Sequence, residues 1–323
     1  MAQDVTNRFA PQRQANQSQT VAMLQASLAL PGRHDSVLAR QIPFPRRGIS
    51  LALTCLLAGM LSACVTSGSG PTQNVAVVDK TNPDSRVNIA SLSNVIKQNP
   101  RDPVAYNTRG AAHARQGQYG EAISDFTTAI TLDPRYAAAY TNRALAYRQT
   151  GKNDAALGDF TQAINADNTY AAAYIGRANV LRAKGDSTQA LADLSRAIEL
   201  DPESAEAFHA RGLVYQRLNR NPDAIRDFDA AIDRNPFVAA PYTARGQSLL
   251  EVARYDKAIE DFNASLNVDN RNADAWAGRG LAMERQGKTR DALESYQRAL
   301  SIDANNKIAR DGVSRLGGGG RLF

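Results

Sequence analysis

Cysteine is nearly absent: Cys55 and Cys64 are the only thiols in 323 residues. A network of disulfides is excluded, so whatever folds here is held by packing. Histidine is scarce too. His34, His113 and His209 stand alone, none with a second metal-ligating or nucleophilic residue at a spacing that makes a site. No catalytic residue, metal ligand or cofactor site is therefore expected, and the chain does not read as an enzyme. An excess of one charge is also missing once the chain is divided. The net charge is +6, but residues 1–63 hold six arginines against Asp4 and Asp35. The rest holds 32 basic and 30 acidic side chains. Interspersed signs make a solvated surface rather than a phosphate-binding stripe, and nucleic acid is not an expected partner. The apolar run Gly48–Leu61 is too short to cross a bilayer. With 43% apolar and 22% charged residues, neither disorder nor a multi-pass membrane protein fits.

What the chain has in quantity is repetition. Pro103–Tyr136 is 34 residues long, and five more copies follow without a gap, beginning at Ala137, Ala171, Ala205, Ala239 and Ala273. Position 4 is aromatic throughout: Tyr106, Tyr140, Tyr174, Phe208, Tyr242 and Trp276. Position 8 is Gly or Ala, position 20 is Ala in every copy, and position 24 is bulky, from Phe126 to Tyr296. Apolar residues at positions 4, 8 and 11 share one face of a first helix, and those at 20, 24, 27 and 28 share one face of a second. Small residues at 8 and 20 let the two backbones approach, where larger ones would overpack. Pro134, Pro202 and Pro236 at position 32, replaced elsewhere by Asn or Ala, suggest where the second helix stops. One such unit cannot bury its apolar face alone, but stacked units can.

This period and these columns resemble the tetratricopeptide repeat, a helix–turn–helix unit. The resemblance covers residues 103–306, about two-thirds of the chain. It implies an all-α, right-handed superhelical solenoid of six repeats that works as a protein-binding scaffold. Residues 85–102 match the second half of a repeat and are expected to form an N-terminal capping helix with Ile89, Leu92, Val95 and Ile96 on one face. Residues 307–323 are expected to hold a C-terminal capping helix, with Ile308 and Val313 apolar, and a mobile tail.

Ahead of the array, Arg46-Arg47, the apolar run and Leu61-Ser62-Ala63-Cys64 make a secretory signal. Its end resembles a bacterial lipobox, which implies lipid attachment at Cys64 and membrane anchoring through acyl chains. Residues 1–45 are read as a mis-set start or an unusually long leader. Residues 64–84 read as a flexible tether. Val65 follows Cys64, where an Asp would imply retention at the inner membrane, so an outer-membrane anchor facing the periplasm is expected. The combination resembles envelope repeat lipoproteins of the NlpI type, which gather cell-envelope hydrolases and proteases. The alternatives are a pilus or secretion assembly factor of the pilotin kind and a cytoplasmic scaffold. A homodimer is compatible with each.

Two sets of residues stand out. Position 7 is Arg in all six copies, Arg109, Arg143, Arg177, Arg211, Arg245 and Arg279. Position 23 is Asp in five, Asp125, Asp159, Asp193, Asp227 and Asp261, with Ser295 in the sixth. Each Arg is expected to pair with an Asp of its own or the adjacent repeat. The alternative is a ladder of arginines for an acidic ligand. The resemblance also places a concave groove along first-helix positions 2, 5, 9 and 12. Its candidate lining is Asn107, Thr141, Leu145, Arg148, Ile175, Asn179, Arg182, His209, Leu213, Gln216, Gln247 and Leu281, a mixture suited to a protein or peptide partner. The Lys/Asn set that grips a terminal carboxylate in chaperone-binding relatives is absent from positions 5 and 9.

Overall fold

The structure is a computed structural model that describes residues 85–317; the signal, Cys64 and the tether lie outside the described residues. The described residues form helices joined by short turns, with no strand among them. Helix α1 (Ser85–Gln98) is followed by six pairs: α2 (Pro103–Arg115) with α3 (Tyr119–Leu132), α4 (Ala137–Gln149) with α5 (Asn153–Ala166), and α6 (Ala171–Lys184) with α7 (Ser187–Leu200). Then come α8 (Ala205–Arg217) with α9 (Asn221–Arg234), α10 (Ala239–Glu251) with α11 (Tyr255–Val268), and α12 (Ala273–Arg285) with α13 (Thr289–Ile302). Helix α14 (Lys307–Gly317) closes the array. None of these helices is long and apolar enough to cross a membrane.

Each pair is joined by a turn at position 15. Gly117, Gly151, Gly185 and Gly287 take positive φ there, and Asn219 and Ala253 are forced to do the same at 57° and 58°. Glycine adopts this geometry freely; Ala253 does so against its Cβ. Between pairs, the residue at position 31 ends the second helix in extended backbone. Its side chain then accepts the amide two residues on, as in Asp133 to Arg135 and Asp167 to Thr169, both at 2.9 Å. The same bond forms before Asn305, where position 32 is Ala304. This Asx turn, rather than proline, is the feature common to the breaks, which explains why Asn168, Asn270 and Ala304 are tolerated.

The core is a row of small clusters strung along the array. Its anchor is the position-24 side chain, at most 1% exposed in all six repeats, resting on fully buried residues at positions 20 and 27. Each anchor is wedged between position 8 of its own repeat and position 6 of the next. A Cβ on Gly110 would sit 2.7 Å from Phe126, and one on Gly176 would sit 2.2 Å from Phe160. Every aromatic anchor has a glycine on at least one side. Where both flanking residues are alanine, Ala178 and Ala210, the anchor is the smaller Leu194. Volume is balanced wedge by wedge, as close packing requires.

First helices of neighbouring repeats touch one another, whereas second helices touch only first helices. The first helices therefore line the inner wall, and the second helices stand apart on the outside. The ends depart from expectation. In α1, Ile96 is buried but Val95 is 43% exposed. In α14, Ile308 is exposed, and Ala309, Gly312, Val313 and Leu316 make the contact with the last repeat.

Candidate functional site: the arginine column and the inner wall

The position-7 arginines have one geometry in five repeats. Nε and Nη2 donate to the two carboxylate oxygens of the Asp sixteen residues on, in the second helix of the same repeat, at 2.6–2.9 Å. Nη1 turns the other way, to position 25 of the preceding unit. The acceptors are Ser93, Thr127, Thr161, Ser195 and Asp229, at 2.6–3.4 Å. The guanidinium also lies 5.7–5.9 Å from the centre of the position-4 ring. One side chain thus ties together both helices of its own repeat and the second helix of the repeat before it. The hydrogen bonds donated to Asp hold each of these arginines above its ordinary pKa, against the opposing pull of burial. Hydrogen bonds to charged groups are worth about 1.5–3 kcal/mol when they are this well formed. With three nitrogens committed, these arginines are built into the scaffold and are not a free ladder for a ligand.

The sixth repeat differs. Arg279 meets Ser295 at 3.2 Å and Asn263 at 3.2 Å, and it lies 4.3 Å from the Trp276 ring centre. Burial holds it below its ordinary pKa. Tyr296 replaces phenylalanine as the anchor. Its hydroxyl donates to Glu284, which accepts two bonds from Arg315 of α14 at 2.9 Å.

The position-25 acceptors had no visible signal in the sequence. Their identities change from Ser to Thr to Asp to Asn, and only an oxygen in the right place is shared.

The groove candidates fall into two groups. Asn107, Thr141 and Ile175, all at position 5, are buried, Thr141 to 1%, because the next first helix leans on them. Asn107 is occupied: it accepts from Asn142 at 2.9 Å and donates to the Tyr136 hydroxyl at 3.3 Å. Gln216 is also engaged, donating to the Ala244 carbonyl and the Ser248 hydroxyl of α10. These four belong to the joints between repeats. Leu145, Arg148, Asn179, Arg182, His209, Leu213, Gln247 and Leu281 keep partly exposed side chains on the inner wall. His209 lies 5.8 Å from Phe228, ring centre to ring centre, and burial, then Arg182, pulls its pKa down. His113 hydrogen-bonds Gln118 at 2.7 Å while standing 3.9 Å from Asp125. Among the described residues no cluster of side chains could hold a metal ion. A cleft of about 420 Å³ opens on the outer side between α5 and α7, lined by Leu157, Leu181 and Gln189 over the Arg177–Asp193 pair.

Comparison with known proteins agrees with this architecture. Tetratricopeptide-repeat families match residues 103–136, 126–158, 178–219 and 243–307, together half of the chain. The chain belongs to the tetratricopeptide-repeat proteins, whose repeats serve as scaffolds for protein–protein interaction. No curated protein sequence matches significantly. Among solved structures, the Cut9–Hcn1 hetero-tetramer of the APC/C aligns with TM-score 0.65 and 19% identity over 72% of this chain. This chain spans only 46% of that one. PilF of Pseudomonas aeruginosa aligns with TM-score 0.60 and 16% identity, over 66% of this chain and 97% of its own. A tetratricopeptide repeat protein from Parabacteroides merdae aligns with TM-score 0.54 and 19% identity, over 72% and 93%. At these identities the likeness is one of fold.

Proposed function

We propose that the protein is a lipid-anchored adaptor on the periplasmic side of the outer membrane, holding peptide segments of partner proteins against its inner wall. The observation that carries the adaptor reading is the division of labour among its polar residues. The arginine column and Asn107, Thr141, Ile175 and Gln216 are taken up by the joints between repeats, while Leu145, Arg148, Asn179, Arg182, Leu213, Gln247 and Leu281 at positions 9 and 12 keep partly exposed side chains along five consecutive first helices. A partly exposed wall of that length suits an extended partner. The anchor reading rests on Leu61-Ser62-Ala63-Cys64 directly after the apolar run. Cell-envelope hydrolases and proteases are the partner class that the lipoprotein resemblance suggests.

Radiolabelled palmitate and membrane fractionation test the anchor. Label is expected in the wild type, in the outer-membrane fraction, and not in Cys64→Ser. An unlabelled wild type that fractionates with cytosolic proteins defeats the anchor reading. Crosslinking in the envelope followed by identification of captured proteins tests the partner class, and capture of a secretin instead of hydrolases replaces it with an assembly role.

A further inference from the structure

Charge is unevenly spread along the inner wall. Arg148 at the end of α4, Arg182 near the end of α6 and Arg217 at the end of α8 belong to three consecutive repeats. Arg148 and Arg182 share one register, 34 residues apart. Nη1 of Arg217 donates to the Arg182 carbonyl at 2.9 Å, which brings the third cation beside the second. The position-7 arginines each have a partner at hydrogen-bond distance, a carboxylate in five repeats. These three have no carboxylate at ion-pair distance among the described residues. Nε of Arg182 is buried without any partner. Burial, then the neighbouring Arg217 and Arg148, push the Arg182 guanidinium below its ordinary pKa. The carboxylate facing the cluster is Glu206 on the exposed start of α8, where burial pushes its pKa up against the downward pull of Arg148.

Like charges gathered without a counter-ion work against folding. A guanidinium fork is matched to a planar carboxylate, which it binds through two parallel hydrogen bonds. We propose that Arg148, Arg182 and Arg217 form an anion site on the inner wall, and that its occupant is a carboxylate-bearing peptide. Leu145 and Leu213, partly exposed at position 9 of the second and fourth repeats, offer the rest of the peptide an apolar surface on the same wall. The inference deepens the peptide-binding reading above and depends on it. The carboxylate comes either from an Asp or Glu within the peptide or from its free C-terminus.

The test is selection of a random dodecapeptide library on the full chain, followed by fluorescence anisotropy of the selected peptides. Asp and Glu are expected to be enriched, or the C-terminus to be required free; amidation separates the two sources. Affinity is expected to fall about tenfold for each of Arg148→Gln and Arg182→Gln, with circular dichroism unchanged because neither residue belongs to the arginine–aspartate joints. Acidic peptides that bind the double variant as tightly as the wild type overturn the site. Neutral peptides lost on Leu145→Glu or Leu213→Glu also overturn it, while leaving the peptide wall in place. Failure to select any peptide overturns both.

Discussion

The second repeat and the sixth have the same period and the same columns, yet they are locked in different ways. In the second, Arg143 grips Asp159 with two bonds and reaches back to Thr127 of the repeat before. In the sixth, Ser295 stands where the carboxylate would be, and Arg279 leans on Trp276. The last repeat is instead fastened outward, through Tyr296, Glu284 and Arg315 to the capping helix. An interior repeat has neighbours on both sides and can share a charged joint among three helices. The first repeat, capped by α1, keeps the same joint, with Arg109 on Asp125 and on Ser93 of the cap, whereas the last repeat directs its polar chain to α14. The joint thus follows the repeat's own side chains, Ser295 and Tyr296 in the sixth copy, rather than its place at an end of the array.

The strongest way to break this comparison is to give an interior repeat the terminal arrangement. Asp159→Ala leaves Arg143 half-buried without its carboxylate and is expected to cost about 2–3 kcal/mol. Ser295→Ala removes one long bond from the Arg279 guanidinium to a neutral hydroxyl and is expected to cost less, about 1 kcal/mol. Urea unfolding midpoints of the two variants check this; equal losses would mean that the interior joint contributes nothing beyond packing. A smaller effect runs the other way. Ser295→Asp rebuilds the pair with Arg279 and is expected to add about 1 kcal/mol, a gain that shrinks as acid protonates the new carboxylate. Thermal unfolding at neutral pH and near pH 3 reads both parts. The smallest effect lies in the turn, where the second repeat has Gly151 and the fifth has Ala253 in the same left-handed conformation. Ala253→Gly is expected to stabilise by about 0.5–1 kcal/mol, relief of strain exceeding the extra freedom of the unfolded chain. A lowered melting temperature would show that the turn has no strain to release.

Much of this was legible in the residues. Six copies in register mark the helix pairs, and invariant Ala122 and its counterparts mark the close helix contact. The matched Arg and Asp columns suggest a pair. The inner wall was harder to read. Position 5 was expected to line a groove, but Asn107, Thr141 and Ile175 are covered because adjacent first helices touch. Arg217, one residue past the expected groove register, reaches the site through a bond to a carbonyl 35 residues away.

From the sequence alone come the period, the two helices of each unit, their small and bulky contact columns, and the charge pairs within a repeat, since all of these depend on spacing along the chain. The relations between repeats came only with the tertiary structure: the acceptor of the third arginine nitrogen, the wedge at position 6, and the inner-wall side chains that stay accessible. Those depend on the angle and distance at which one unit stacks on the next, which a repeating sequence leaves open and packing decides.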